Sequence, residues 1–264
     1  MSASKGIMMA SAEGARIKLN RSERHIVELK TETSVFLGSQ PFGLTRAEEP
    51  NGDVTWRVKV HRSVPTEWSA IIGDAVHNMR SALDLLAWQL VEVNLGRPTR
   101  DTCFPIGQAP LAVYDQQLRR TLAGASDAAI RFVRRLKPFA GGNTFLTRLH
   151  ALDISDKHKL VLVVGAAHKH VVLKLKMKVP WQAAPVEFPT LALNPADRQF
   201  PLQDGAEVFR VCRAARESEN EHDLVFELAF GDVAEVRGLP LIATLESMHR
   251  HVLKIIEIAD NLFF

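Results

Sequence analysis

Apolar residues recur every three or four positions over residues 67–93, and this recurrence is the strongest pattern in the chain. Within IIGDAVHNMRSALDLLAWQLV, Ile71, Ile72, Ala75, Val76, Met79, Ala82, Leu83, Leu86 and Leu90 fall on one side of a helical wheel. Pro65 and Thr66 open this helix, with Thr66 as the expected N-cap, and Asn94, Gly96 and Pro98 end it. A first helix over residues 15–36 carries Ile17, Ile26, Leu29 and Phe36 and stops at Gly38 and Pro41. A last one, residues 239–262, sets Ile242, Leu245, Met248, Val252, Ile255 and Ile256 on one face. Between them, Phe42–Glu48 and Val54–Val60 flank Pro50, Asn51, Gly52 and Asp53, a hairpin signature.

Further along, the spacing predicts helices over residues 111–122, from Ser126 to Pro138, and around residues 144–156. Strands are expected over residues 169–179, 208–213 and 224–230. The five prolines of residues 180–201 predict an irregular loop. Strands follow helices without a βαβ repeat. The expected class is therefore α+β: a helical group, with the long central helix between N- and C-terminal helices, packed beside a mostly antiparallel sheet. One domain over residues 1–264 is expected, with residues 1–14 as a flexible start.

Composition refines this only slightly. The chain is 46% hydrophobic and 24% charged, outside the disordered range. Its formal charge of +3 is too small to imply a polyanionic partner by itself. Cys103 and Cys212 match no metal-ligand spacing, which suits reduced thiols. The start, MSASKGIMMASAEG, has no apolar signal region, and no apolar run is long enough to span a bilayer. A cytoplasmic protein without membrane contact is expected.

The other side of the central helix carries the candidate chemistry: Asp74, His77, Arg80, Ser81, Asp84 and Trp88, with Asn78 toward the edge. Solvated helix faces favour Lys, Glu and Gln, yet residues 71–90 contain no Lys and no Glu. Asp, Asn, Ser and His weaken a helix, so their choice points to a partner other than water. His77 can exchange protons near neutrality, and Arg80 is a fixed cation suited to phosphate, carboxylate or oxyanion. A second cluster, His150, Asp153, Asp156, Lys157 and His158, precedes the apolar LVLVV. If helix continues there, His150, Asp153 and Lys157 share a face; if the chain turns extended, Asp156 and His158 do.

Weaker candidates are the His168-Lys169-His170 triplet, the oppositely facing His249 and His251, and a basic concentration at Arg119, Arg120, Arg131, Arg134, Arg135 and Lys137. Phosphate loops, zinc-finger spacings, nucleophile elbows and HExxH are missing from the sequence.

GDAVHNMRSALDLLAW and LDISDKH resemble a widespread group of bacterial proteins of unassigned function that carry GDxxHNxRSALDxxxW and a later DKH. The likeness covers roughly residues 15–165, including Phe104–Ile106. The helical part is also similar to the HEPN superfamily, whose members are often dimeric, metal-independent ribonucleases. Their motif sets Arg before His on one helix; here the order is His77, Asn78, Arg80.

Three functions follow as expectations. The favoured one is a hydrolase of nuclease type acting on RNA phosphodiesters, or otherwise binding a small phosphorylated or anionic ligand, with a homodimer implied by the HEPN likeness. His77 would move the proton, Arg80 stabilise the phosphorane, Asp84 orient His77, and Lys157 and His158 add a cation and a second proton carrier. Asn78, Ser81 and Trp88 would contact substrate, and no cofactor is favoured. The alternative is a metalloenzyme, with Asp74, His77, Asp153, Asp156 and His158 around a divalent Zn, Mn or Fe. The third is a non-catalytic ligand-binding or regulatory module.

Overall fold

A computed structural model describes residues 10–94, 96–107, 111–161, 163–177, 186–187, 191–193, 201–211 and 220–264. Helix α1 (Glu13–Gly38) buries Leu19, Ile26, Leu29 and Phe36 at helical spacing. It is followed by β1 (Phe42–Glu48) and β2 (Val54–Val60), an antiparallel pair closed by the expected turn, where Gly52 adopts φ 86°. Helix α2 (Trp68–Glu92) then buries all the expected apolar positions except Ile71, which is partly covered. Its N-cap position is Glu67, without a side-chain cap, so Thr66 does not cap it as expected; the Thr66 carbonyl instead accepts from Ser69 N.

Two short helices, α3 (Leu111–Thr121) and α4 (Asp127–Arg135), lead to α5 (Thr144–Asp156). Ser126 caps α4 by accepting from Ala129 N, and Asn143 caps α5 by accepting from Phe145 N and Leu146 N. Strand β3 (Val163–Met177) starts six residues before the expected position, because the apolar run after α5 is already extended. It pairs antiparallel with β4 (Val186–Glu187), β5 (Leu191–Leu193) and β7 (Asn220–Phe230). The described parts of the proline-rich stretch thus form two short strands rather than an irregular loop. β6 (Glu207–Val211) extends the hairpin, giving the order β1-β2-β6, and α6 (Leu241–Phe263) ends the chain.

The fold is α+β, with helices beside antiparallel sheet. Helix α2 packs against α1, α5 and α6, as its continuous apolar face requires. The hairpin meets the larger sheet where the Phe42 ring covers Gly165, a position at which any side chain would strike that ring. Ser69 Oγ donates to Val161 O (2.8 Å), and Trp68 Nε1 donates to Glu32 Oε2 (2.6 Å), so the start of α2 is tied both to α1 and to the exit of α5. Among the described residues no helix is long and apolar enough to cross a membrane.

Candidate active site

The edge of α2 left open by this packing carries Asp74, His77 and Trp88 exposed, with Asn78, Ser81 and Asp84 half-buried. Helix α5 runs against it. Asp153, only 3% exposed, places Oδ1 3.4 Å from His77 Nδ1, while its Oδ2 accepts from Lys157 Nζ at 2.6 Å. On the other side of the imidazole, Nε2 lies 3.4 Å from Ser81 Oγ. The two polar clusters of the sequence therefore meet, with a buried carboxylate facing one ring nitrogen and a hydroxyl facing the other.

Close approach of the helices depends on Gly73. A Cβ at this position would collide with the Asp156 carboxylate. Burial raises the Asp156 pKa from its ordinary value, and the negative charges of Asp153 and Asp74 push the same way; His77 and Lys157 oppose. Asp156 also closes α5, where the helix dipole disfavours a negative charge. Three effects thus favour its protonated form.

Arg80 departs from the expected arrangement. It is 9% exposed, and its Nη2 donates to Phe104 O (2.7 Å) and pairs with Asp84 Oδ1 (3.0 Å). Asp84 Oδ1 in turn accepts from Phe104 N (2.9 Å), so the two side chains hold both backbone groups of one loop residue. Arg80 is a loop clamp, not an open phosphate-facing cation, and Asp84 does not orient His77; Asp153 occupies that place. Burial raises the Asp84 pKa despite Arg80 and the Phe104 amide. Nearby, burial lowers the His150 pKa, and the Arg80 charge adds to this. Among the described residues, Arg80 Nη1 and His150 Nδ1 are both buried and meet no hydrogen-bond partner.

The remaining predicted residues divide. Asn78 spends its amide Nδ2 on the Asp74 carbonyl one turn back (2.7 Å). His158 is exposed beyond α5, and no side-chain contact among the described residues joins it to His77. The five-residue metal set is not assembled: Lys157 occupies one oxygen of Asp153, and among the described residues no three His, Cys, Asp or Glu side chains are grouped to hold a metal ion. His249 contacts Leu19 O and His251 contacts Asn143, on opposite sides as expected. The side chains of His168, Lys169 and His170, and the whole of Cys212, lie outside the described residues.

At the level of sequence Gly73 has no expected role, Phe104 figures only within the resemblance, and His150 only as a member of the second cluster. Gly73 had a usable signal, since a glycine inside a helix costs about 1 kcal/mol against alanine and marks a close approach. Comparison with family models, with curated proteins and with solved structures finds no match for this chain.

Proposed function

We propose that the protein is a metal-independent hydrolase of RNA phosphodiesters, with His77 as proton acceptor. What carries this reading is the buried Asp153 carboxylate 3.4 Å from His77 Nδ1, which favours the tautomer whose Nε2 is free to accept a proton. RNA brings its own nucleophile, so a site needs only a base, an acid and a cation. His77 Nε2 takes the proton of the 2′-hydroxyl as that oxygen bonds to phosphorus. The bond from phosphorus to the 5′-oxygen breaks, and this oxygen takes the proton of Asp156, whose raised pKa suits a donor. Lys157, half exposed beside Asp153, offsets charge growing on the phosphoryl oxygens. The products are a 2′,3′-cyclic phosphate and a free 5′-hydroxyl.

The test is cleavage of an end-labelled RNA in the presence of EDTA. His77→Ala should lower the rate by at least about 100-fold, the usual weight of a general base. An undiminished rate in that variant, or loss of wild-type cleavage on chelation, rejects the reading.

One observation favours a second reading. Ser81 Oγ, His77 and Asp153 stand in the order nucleophile, base, orienting acid, which suits acyl transfer through Ser81. However, the Ser81 N–H lies inside α2 and is committed to the helix, so it cannot donate to an oxyanion. Labelling of Ser81 by a fluorophosphonate, absent in Ser81→Ala, would establish acyl transfer instead. RNA cleavage retained in Ser81→Ala supports the first reading.

A further inference from the structure

Charge is distributed very unevenly along this chain. Residues 111–137 carry Arg119, Arg120, Arg131, Arg134, Arg135 and Lys137 against Asp115 and Asp127, a net +4 where the entire chain has +3, so all other residues together sum to −1. All six cations are exposed. Arg134 pairs with Asp115 at 2.7 Å and so joins α4 to α3. The cleft between these helices has Leu118 and Ile130 in its lining, with Arg119, Arg131 and Arg134 set against Asp115 and Asp127, so its own walls carry a net +1 and the further excess comes from Arg120, Arg135 and Lys137 nearby.

The cleft is also fixed to the site on α2 and α5. Tyr114 of α3 is fully buried, with its hydroxyl 3.5 Å from Pro105 O, and its ring packs on Phe139 just beyond α4. Gly107 exchanges backbone bonds with Pro138 and Ala140. Phe104, three residues before Gly107 in the same loop, is the one that Arg80 and Asp84 clamp to α2. Arg120 lies within electrostatic reach of Cys103, as do Asp84 and Arg80. One short loop therefore has the basic helices at one end and α2 at the other.

We propose that the cleft between α3 and α4 binds the phosphodiester backbone of single-stranded RNA and feeds it toward His77. This rests on the RNA reading given above. It also answers an electrostatic difficulty, because Asp74 and Asp153 beside His77 would repel a polyanion unless other cations held it. Guanidinium forks suit phosphate oxygens, and the recognition would be of backbone rather than of base sequence.

The test uses binding alone, with a fluorescein-labelled 2′-O-methyl oligoribonucleotide, which has no free 2′-hydroxyl and cannot be cut. Fluorescence anisotropy is measured at several salt concentrations for the wild type, for Arg119→Gln/Arg131→Gln, and for Arg21→Gln/Arg24→Gln on the exposed face of α1. The cleft variant should bind on the order of tenfold more weakly, with a salt slope smaller by about 0.7 for each lost phosphate contact; the α1 variant should match the wild type. Equal binding by cleft variant and wild type overturns the proposal, as does equal weakening by the α1 variant. If the cleft result holds while wild-type protein cleaves no RNA, the binding site stands and only the hydrolase reading falls. If RNA is cleaved but the cleft variant binds normally, the reverse is true.

Discussion

Gly73 and Asp156 together show how one neighbour decides whether a glycine inside a helix costs stability. Alanine at position 73 would ordinarily favour the helix, but its methyl group must displace the Asp156 carboxylate. Gly73→Ala should therefore bring little or none of the stability that alanine usually adds to a helix, because the Asp156 carboxylate has to move aside. In an Asp156→Ala background the clash is gone, and the same change should raise stability by about 0.5–1 kcal/mol. Urea unfolding of the four proteins of this cycle reads the difference directly, and an equal effect of Gly73→Ala in both backgrounds would disprove the contact. At this scale the sequence was partly legible. The choice of Asp, Asn, Ser and His on the outer side of α2 pointed to His77, which does face the second cluster, and to Ser81, which lies against His77. Arg80 was not legible, because it lies on the flank of that side. Whether a flank faces water or protein depends on what covers it, here a loop more than twenty residues downstream.

Helices were the most legible elements, since their periodic apolar faces carry most of the packing. Their ends were less so: α2 lacks the Thr66 cap, while α5 has a cap whose side chain does two tasks. Asn143 Oδ1 accepts from the first amides of α5, which leaves Nδ2 to donate to His251 Nε2 of α6 at 2.7 Å. His251 must then be neutral, protonated on Nδ1, and its ring stacks on Phe145. Burial lowers its pKa below the ordinary 6.5. Between that lowered value and 6.5 the unfolded chain binds more protons, so the contribution is complete above 6.5 and is lost as pH falls through this window. His150 acts in the same direction, whereas the raised pKa values of Asp84 and Asp156 act oppositely at lower pH, where the folded state holds the extra protons. Comparing urea midpoints at pH 7.5 and 5.5 isolates the α5–α6 contact. His251→Gln keeps an acceptor for Asn143 without the titration, so its midpoint should fall less on acidification than that of the wild type. An identical fall in both proteins would remove His251 from the account.

Across the whole molecule, α2 is the piece to which the others are attached: α1 and α6 through apolar packing, α5 through Asp153 and Asp156, and α3 with α4 through the Phe104 loop. The last attachment is polar, with Arg80 buried and Asp84 half-buried, which makes it sensitive to loss of one partner. Arg80→Met keeps the length of the stem but abandons Phe104 O and leaves the Asp84 carboxylate without its cation. Because Asp84 is itself only half-buried, losing the cation should cost about 1.5–3 kcal/mol, the range of hydrogen bonds to charged groups, rather than the larger cost of a fully buried pair. Adding Asp84→Asn should recover part of the loss, since an amide oxygen can still accept from Phe104 N without carrying a charge. Hydrogen exchange distinguishes a local effect from a global one. If the loop couples the basic helices to α2, Arg80→Met should speed exchange at Phe104, at Gly107 and through α3 and α4, while α1 and α6 keep the protection of their apolar contacts. Faster exchange confined to α2 would mean that the basic cleft is held by its own packing, and that its position relative to His77 does not depend on the clamp.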